Sequence, residues 1–248
     1  MIEARNITKR FDGTDVIHDI SVSFEQGITN LIIGQSGSGK TVLMKCLVGL
    51  HEVDEGSVYF SDFNFTTMGF KERKSLRKEI GMLFQGGALF DSMNVEQNVM
   101  FPLNLYWNDS YKKKLERVNF CLEKVDLEGV NEKMPGELSG GMVKRVAIAR
   151  AIALNPKYLF CDEPNSGLDP KTAKRIDKLI FDLTKEFNMT TIVNTHDMNS
   201  VLEIGYNVAF IYQGKLWWSG SNKEILETDN QELNDFIYTN EMIKRLKK

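Results

Sequence analysis

One loop, Gly34–Thr41, constrains the fold of this chain more than any other feature. Its sequence, GQSGSGKT, has the spacing G-x-x-x-x-G-K-[ST], in which successive backbone N–H groups surround the phosphates of a nucleotide. The β-favouring run Ile28–Ile33 precedes the loop, and a helical pattern from Lys40 to Leu50 follows it. Strand, loop and helix N-terminus therefore converge on one anion site, and we expect it to bind a nucleoside triphosphate.

Further apolar runs indicate how the rest of the chain folds. Tyr158–Cys161 and Thr190–Asn194 read as core strands separated by a helical pattern, and this alternation predicts an α/β fold with a mostly parallel sheet. Helices are expected on both faces of that sheet. Short strand patterns at Ile2–Phe11, Val16–Phe24 and Ser57–Phe63 predict a small antiparallel sheet beside the phosphate site.

Two carboxylates follow the strand pattern that ends at Cys161. Asp162 and Glu163 are thereby expected at the carboxyl end of the sheet, where open α/β sheets bind their ligands. His196 follows the next core strand and is expected at the same edge. The sequence thus places acidic and imidazole side chains beside the predicted phosphate site.

Four segments in a fixed order, Gly34–Thr41, Leu138–Met142, Cys161–Pro164 and Thr195–Asp197, resemble the ATP-binding cassette (ABC) ATPases. The resemblance covers the chain from Phe11 to about Gly220. It implies the P-loop ABC ATPase fold, hydrolysis of ATP with Mg²⁺, and a homodimer. The domain division that it implies is residues 1–85 for the nucleotide-binding core with its antiparallel β subdomain, 86–156 for a helical subdomain ending in the signature helix, 157–225 for the second part of the core, and 226–248 for an amphipathic tail.

The resemblance also implies roles for single residues. ATP would contact Phe11, as an aromatic ring stacked on adenine, and the whole phosphate loop, that is Gly34, Gln35, Ser36, Gly37, Ser38, Gly39, Lys40 and Thr41. Mg²⁺ would be held by Thr41, Gln85 and Asp162. The catalytic residues would be Glu163, which orients and deprotonates the attacking water, together with Gln85 and His196. For Phe11, a place in the core of the first hairpin is the alternative.

The loop Leu138–Met142 would act on the ATP of the partner copy. In the family, residues at the positions of Ser139, Gly140, Gly141 and Asp169 lie across the dimer interface from the phosphate loop that they serve. The chain departs from the usual LSGGQ at its last position, because Met142 replaces glutamine and cannot repeat its hydrogen bonds.

A narrower resemblance concerns the segment Gln85–Val95 and the variant signature LSGGM. Together they look like the ATPase subunits of Mla-type, Mce-associated phospholipid transporters. This implies phospholipid trafficking between inner and outer membranes, an integral membrane permease and further accessory lipid-transport subunits. A cassette of a cell-division complex and an importer of small polar solutes remain alternatives. The apolar run Ala88–Phe90 suits either a groove that receives a helix of a membrane subunit or packing in the core. If it forms a groove, a charge placed at Leu89 is expected to detach the membrane subunit.

Composition excludes several other classes. The net charge of −3 lacks the basic surplus of a nucleic-acid binder, so no nucleic-acid partner is expected. No signal peptide and no run of roughly 20 apolar residues is present, so another chain would have to span any membrane at which this protein works. The resemblance implies a cytoplasmic protein bound peripherally to the inner face of the cell membrane. The three cysteines are unclustered and are expected to be buried free thiols. DNA-repair and translation ATPases of this family are excluded because the chain has one cassette and no long coiled coil.

The last segment has an amphipathic pattern that would dock on its own chain or on a partner. Its apolar residues are Leu233, Phe236, Ile237, Met242 and Ile243. Before it, Ser221–Glu224 has the pattern of a capping box and predicts a helix that carries Ile225 and Leu226.

Overall fold

The structure, a computed structural model, describes residues 1–238. Its strands are β1 Ile2–Phe11, β2 Thr14–Phe24, β3 Thr29–Ile33, β4 Glu55–Phe60, β5 Phe63–Asn64, β6 Ile80–Leu83, β7 Tyr158–Asp162, β8 Thr190–Thr195, β9 Asn207–Tyr212 and β10 Lys215–Ser221. Its α-helices are α1 Lys40–Leu47, α2 Phe70–Arg77, α3 Val95–Tyr106, α4 Tyr111–Glu123, α5 Gly140–Ile152, α6 Pro170–Glu186, α7 Met198–Ile204 and α8 Gln231–Ile237.

The larger sheet has six strands in the order β10-β9-β3-β8-β7-β6. Strands β9, β3, β8, β7 and β6 run parallel, and β10 pairs antiparallel to β9. The register sets Ile33 opposite Thr195 and Asp162 opposite Asn194, so the carboxyl ends of β3, β7 and β8 meet at one edge. The predicted mostly parallel sheet is confirmed.

Side-chain alternation along β3 explains why both faces of this sheet are covered. Leu31 and Ile33 pack into a core with helices α3 to α8, whereas Ile32 points to the opposite face and packs with α1 and the smaller sheet. All three side chains are fully buried. The helices therefore lie on both faces, as the α/β pattern predicts.

The smaller sheet is antiparallel, with the order β2-β1-β4-β5. The single strand expected over Ser57–Phe63 is wrong in detail, because the chain turns between β4 and β5. Ser61 has a φ of 52° at that turn, a left-handed conformation that ends an extended strand.

Two helix predictions are also corrected. The helix expected over Lys40–Leu50 ends at Leu47, since Gly49 adopts a φ of 69° and the N–H of Leu50 donates to the carbonyl of Lys45. This arrangement is a Schellman motif, which closes a helix. The capping box at Ser221 and Glu224 forms with reciprocal hydrogen bonds, but it opens one turn of 3₁₀-helix over Glu224–Leu226 and not an α-helix.

The described part of the C-terminal segment packs on its own chain. Leu233 and Ile237 of α8 are fully buried in the core that contains the larger sheet. The Phe236 ring lies 5.5 Å from that of Phe210 on β9. Met242 and Ile243 lie outside the described residues. Between residues 1 and 238, no helix is long and apolar enough to span a bilayer.

The three cysteines are buried and free, as expected. Burial raises the pKa of the Cys46 thiol to about 12 and that of the Cys121 thiol to about 11. At neutral pH these thiols are protonated and act as small apolar side chains.

One carboxylate is buried on the face of α6 that packs against α7. Asp177 is 2% exposed and accepts hydrogen bonds from Asn165 and Ser200. Burial is the main cause that raises the pKa of Asp177 to about 6, and the nearby Asp197 and Glu203 act in the same direction. The folded protein therefore binds this proton more tightly than the unfolded chain does.

This difference makes stability depend on pH. The contribution of Asp177 to the free energy of unfolding is complete below its ordinary pKa of 3.8 and is lost as pH rises through about 6.

The variant Asp177→Asn tests this dependence, because asparagine has the size and hydrogen-bonding capacity of the carboxyl group but no charge. We expect the free energy of unfolding of wild type, relative to Asp177→Asn, to fall by about 2 kcal/mol between pH 4 and pH 7. Urea denaturation at each pH measures it. Thr184→Val, which alters a buried neutral side chain of the same helix, should give a pH-independent difference. Parallel pH curves for wild type and Asp177→Asn would contradict the prediction.

Candidate nucleotide site

The phosphate loop connects the end of β3 to the start of α1, and two of its glycines are required by space. At Gly34, which has a φ of 148°, a Cβ would lie 2.3 Å from the carbonyl oxygen of Ile211. At Gly39, with a φ of 103°, a Cβ would lie 2.7 Å from Cγ2 of Ile17. The loop can therefore pass close to the sheet only with hydrogen at these positions.

The polar groups of this loop fit an anion. Lys40 is 5% exposed, and its Nζ donates to the carbonyls of Gly34 and Gln35 at 2.9 Å each. Burial lowers the pKa of Lys40, against the opposite influence of Glu163 and Asp162. The Ser38 hydroxyl is buried with no hydrogen-bond partner among the described residues. An unpaired buried hydroxyl and a buried ammonium group at a helix N-terminus suit the phosphates of a nucleotide.

Thr41 and Asp162 lie together behind the loop. The Thr41 hydroxyl donates to Asp162 Oδ1 at 3.2 Å, and Asn194 Nδ2 donates to the same oxygen at 3.0 Å. Hydroxyl and carboxylate oxygens are the ligands that Mg²⁺ prefers, so this pair fits the predicted metal. Asn194 was not predicted as a site residue from the sequence; the only signal was an amide side chain within a strand pattern expected in the core.

Glu163 is the centre of a second cluster. Its backbone has a φ of 47°, and its N–H donates to the carbonyl of Asn194 at 3.0 Å. Its carboxylate lies 3.2 Å from Gln85 Nε2 and 3.2 Å from His196 Nδ1. The structure thus brings the three predicted catalytic side chains together. Gln85 contacts Glu163, and its role as a Mg²⁺ ligand stays a prediction.

Sequence reasoning missed a lysine beside this cluster. Lys144 of α5 is 3% exposed, and its Nζ lies 3.4 Å from the Glu163 carbonyl oxygen. Burial lowers the pKa of Lys144, while Cys161, Glu163 and Asp162 oppose that shift. Helical spacing alone gives no sign that this charged residue points inward.

The predicted aromatic residue for adenine lies at the surface. Phe11 is 39% exposed, so the alternative of a core position is wrong. The His51 ring packs edge-on against it at 5.2 Å, and Lys9 Nζ lies 5.3 Å from the ring centroid. Stacking of Phe11 on adenine stays a prediction.

The signature loop lies elsewhere on the same chain. Ser139 is the N-cap of α5, where its hydroxyl accepts from the N–H of Met142 at 3.3 Å. Ser139, Gly140, Gly141 and Asp169 line a cavity of about 690 Å³. Asp169 also caps α6 by accepting from the backbone N–H groups of Lys171 and Thr172.

A different cavity, of about 1080 Å³, is lined by the phosphate loop and the Glu163 cluster, including Gln35, Ser36, Glu163 and His196. Ser139, Gly140 and Gly141 are not among the described residues that line it. Gly167 and Leu168 line both cavities, so the two cavities adjoin, but Gln35 and Ser36 line only the first and the signature loop lines only the second.

The run Ala88–Phe90 divides between a groove and the core. A groove of about 300 Å³ is lined by apolar side chains including Phe84, Ala88, Phe90, Phe101 and Pro102. Arg150 holds its rim by donating to the carbonyls of Gly87 and Ala88 at 2.9 Å each. Leu89 packs instead against the helical core, so the choice of Leu89 to test the groove is wrong, and Phe90, 40% exposed, takes its place.

The family of this chain is identified by comparison with known proteins. Residues 17–166 match the family described as ABC transporter. The chain is 40% identical over 243 residues to the methionine import ATP-binding protein MetN of Clostridium tetani, covering 98% of this chain and 76% of that protein. It is 34% identical over 239 residues to the probable ribonucleotide transport ATP-binding protein mkl of Mycobacterium leprae, covering 95% of this chain and 68% of that protein.

Among solved structures, the fold is similar to the dimeric post-hydrolysis state of the ATP-binding cassette MJ0796 bound to ADP and Pi. The TM-score is 0.82 with 29% sequence identity, covering 90% of this chain and 99% of that one. The names of these three proteins do not include phospholipid transport. The family match and the relatives show that this chain belongs to the ABC transporter family, as an ATP-binding subunit that hydrolyses ATP with Mg²⁺.

Proposed function

We propose that this ATPase works as a homodimer on the inner face of the cell membrane and energises phospholipid movement between membranes through a separate permease subunit. The observation that carries the transport role is the apolar groove beside Gln85, which offers a docking surface on the same loop as a residue of the ATP site. A soluble cassette without such a surface would have no evident contact for a membrane subunit.

The hydrolytic step follows from the residues at the sheet edge. The phosphate loop and Lys40 bind and orient the triphosphate; Thr41 and Asp162 would hold Mg²⁺, which when bound would neutralise phosphate charge. Glu163 accepts the proton of the attacking water. His196 and Gln85 flank its carboxylate and keep that water and the γ-phosphate in line.

Two copies would complete the site. Since the signature loop and the phosphate loop line different cavities of one chain, we propose that Ser139 and Gly141 bind the γ-phosphate held by the partner. Ser139 stands at the N-terminus of α5, where the backbone N–H groups and the helix dipole favour an anion. The dimeric state of MJ0796 supports this arrangement.

The permease would dock a cytoplasmic helix in the groove. Exposed Phe84 and Phe90 and half-buried Pro102 give it an apolar floor, and Arg150 of α5 contacts the Ala88 carbonyl and the Phe90 ring. Binding of an amphipathic helix in such a groove is a common mode of peptide recognition.

The phospholipid cargo is supported by the segment Gln85–Val95 and by the signature LSGGM, which resemble the Mla-type ATPases. Accessory lipid-transport subunits belong to that proposal. Methionine import is the second candidate, favoured by the 40% identity to MetN across nearly the whole chain. The groove and the ATP site serve either cargo equally well.

The assignment of Glu163 as base is tested with Glu163→Gln. Glutamine keeps the shape and the hydrogen bonds but cannot accept the proton, so kcat should fall about a hundredfold or more while ATP still binds. Phosphate release and nucleotide-binding assays measure the two quantities. The control Glu128→Gln changes an exposed carboxylate in the loop that follows α4 and should be fully active. Turnover near the wild-type rate in Glu163→Gln would refute the assignment.

Sharing of the site is tested with heterodimers isolated through two affinity tags. When Lys40→Ala and Ser139→Arg are on different chains, a site shared between copies leaves one site free of both changes, so ATPase activity should return. When both changes are on one chain paired with wild type, every shared site carries a defect, so activity should stay low. The reverse pattern, activity only in the second mixture, would show that each loop serves its own chain.

The docking surface is tested with Phe90→Asp. A charge in the groove should detach the ATPase from membranes that contain the permease, while ATP binding stays normal because the phosphate loop is built from other segments. Sedimentation with membrane vesicles measures binding. Phe70→Asp, the same change at a 77% exposed phenylalanine of α2, is the matched control. Equal membrane association of both variants would rule out the groove as the docking site.

The cargo is tested in a deletion strain and in the purified complex. We expect phospholipid to accumulate in the outer leaflet of the outer membrane of the deletion strain, and phospholipid to copurify with the complex in mass spectrometry. Plasmid-borne wild type should restore the distribution, and Lys40→Ala should not. Normal lipid distribution together with lost uptake of labelled methionine would favour the second candidate.

A further inference from the structure

Three side chains form a hydrogen-bonded cluster around a buried carboxylate beneath the catalytic edge of the sheet. Asn165 Nδ2 donates to Asp177 Oδ1 at 2.7 Å, and Ser200 Oγ donates to Asp177 Oδ2 at 2.7 Å. Asn165 Nδ2 also lies 3.1 Å from Ser200 Oγ. Asp177 is 2% exposed and Ser200 is fully buried. Both oxygens of the carboxylate are thus engaged by side chains from other segments.

These segments are the two that carry Glu163 and His196. Asn165 follows Glu163 by two positions on the loop that leads to α6, and it lines the same cavity as Glu163 and His196. Ser200 lies on α7, the helix that begins directly after His196 and Asp197. Asp177 is the shared acceptor between them.

The cluster is not explained by stability. A buried carboxylate is costly unless a cation offsets it, and well-packed apolar residues often replace such groups without loss. Lys174, one turn before Asp177 on α6, pairs with Glu203, and Lys178, the next residue after Asp177, pairs with Asp182. Burial, together with Asp197 and Glu203, raises the pKa of Asp177 to about 6, so its charged form is disfavoured.

We propose that Asp177 is a positioning residue for ATP hydrolysis, which fixes the loop after Glu163 relative to the helix after His196 through Asn165 and Ser200. The inference rests on the proposed roles of Glu163 and His196. Asp177 touches neither ATP nor water in this account; it acts by holding the carboxylate of Glu163 and the imidazole of His196 at one separation. A displacement of catalytic groups by about 1 Å can reduce a rate a hundredfold.

The first test compares two replacements at one position. Asp177→Leu is similar in size but removes both hydrogen bonds, and we expect kcat to fall at least about tenfold with the KM for ATP within about twofold of wild type. Asp177→Asn can accept from Asn165 and donate to Ser200, so it should keep at least about half of the wild-type kcat. Thr184→Val removes a buried hydroxyl from the same helix, so it controls for general damage to α6 and should leave kcat unchanged.

A second test does not depend on Asp177→Leu being folded. Asn165→Asp sets two carboxylates against each other and should lower kcat, whereas the exchanged pair Asn165→Asp with Asp177→Asn restores one donor and one acceptor and should recover most of it. Thermal melting confirms that each variant is folded. Recovery in the exchanged pair supports the role.

The proposal would be overturned by full kcat in folded Asp177→Leu or by no recovery in the exchanged pair. An equal loss in Asp177→Asn and Asp177→Leu would also overturn it, because hydrogen bonding would then not matter. Glu163→Gln separates this inference from the proposed function. If Glu163→Gln were fully active, the assignment of the base would fail; if it were inactive while Asp177→Leu kept its kcat, only the positioning role would fail.

Discussion

The need to bind a concentrated negative charge at the carboxyl edge of a parallel sheet determines most of this structure. Backbone N–H groups, one helix N-terminus and the buried Lys40 are gathered there because β3 ends at the phosphate loop. Parallel pairing then brings β7 and β8 to the same edge, with Asp162 directly opposite Asn194. Residues more than a hundred positions apart in the sequence thus lie side by side at this edge, because the parallel strands that carry them end there.

The same edge explains why charged and polar side chains in this region lie so deep in the fold. Lys40, Lys144 and Asp162 are each at most 5% exposed. The negative charge of Asp162, at the end of β7, favours the positive charges of both lysines. Such a cluster is stable only if its charges are paired or hydrogen-bonded. Asp177, beneath this edge, accepts hydrogen bonds but has no cation in the described part of the chain to balance its charge, and this contrast supports its role as a positioning residue.

Much of the fold and of the site was predictable because local patterns carry it. The strand, glycine loop and helix around Gly34–Thr41 are a continuous segment, and the strands that precede Asp162 and His196 are apolar runs that can be read directly. Asn194, Lys144 and Asp177 could not be predicted, since a polar residue on a strand or an amphipathic helix reads as surface until the packing of a distant segment is known. Asp177 lies on a helix whose other charged residues are exposed, and the other charged residues of the helix that carries Lys144, Arg145 and Arg150, are partly exposed.

The error at Leu89 has a conformational origin. Gly86, Gly87 and Ala88 all have positive φ, and for alanine this left-handed conformation is unfavourable by about 1 kcal/mol or more. Nothing in the sequence marks Ala88 as left-handed. The conformation turns Leu89 toward the core and leaves Phe90 at the groove, and Arg150 stabilises it by donating to the carbonyls of Gly87 and Ala88.

The central claim is that two copies of the chain build each ATP site, and the structure of the dimer with Mg²⁺ and a non-hydrolysable ATP analogue is its most direct test. We predict that Ser139 Oγ and the Gly141 N–H of one copy lie about 3 Å from the γ-phosphate bound at Lys40 of the other. A nucleotide enclosed by one chain alone, with Leu138–Met142 open to solvent, would contradict it.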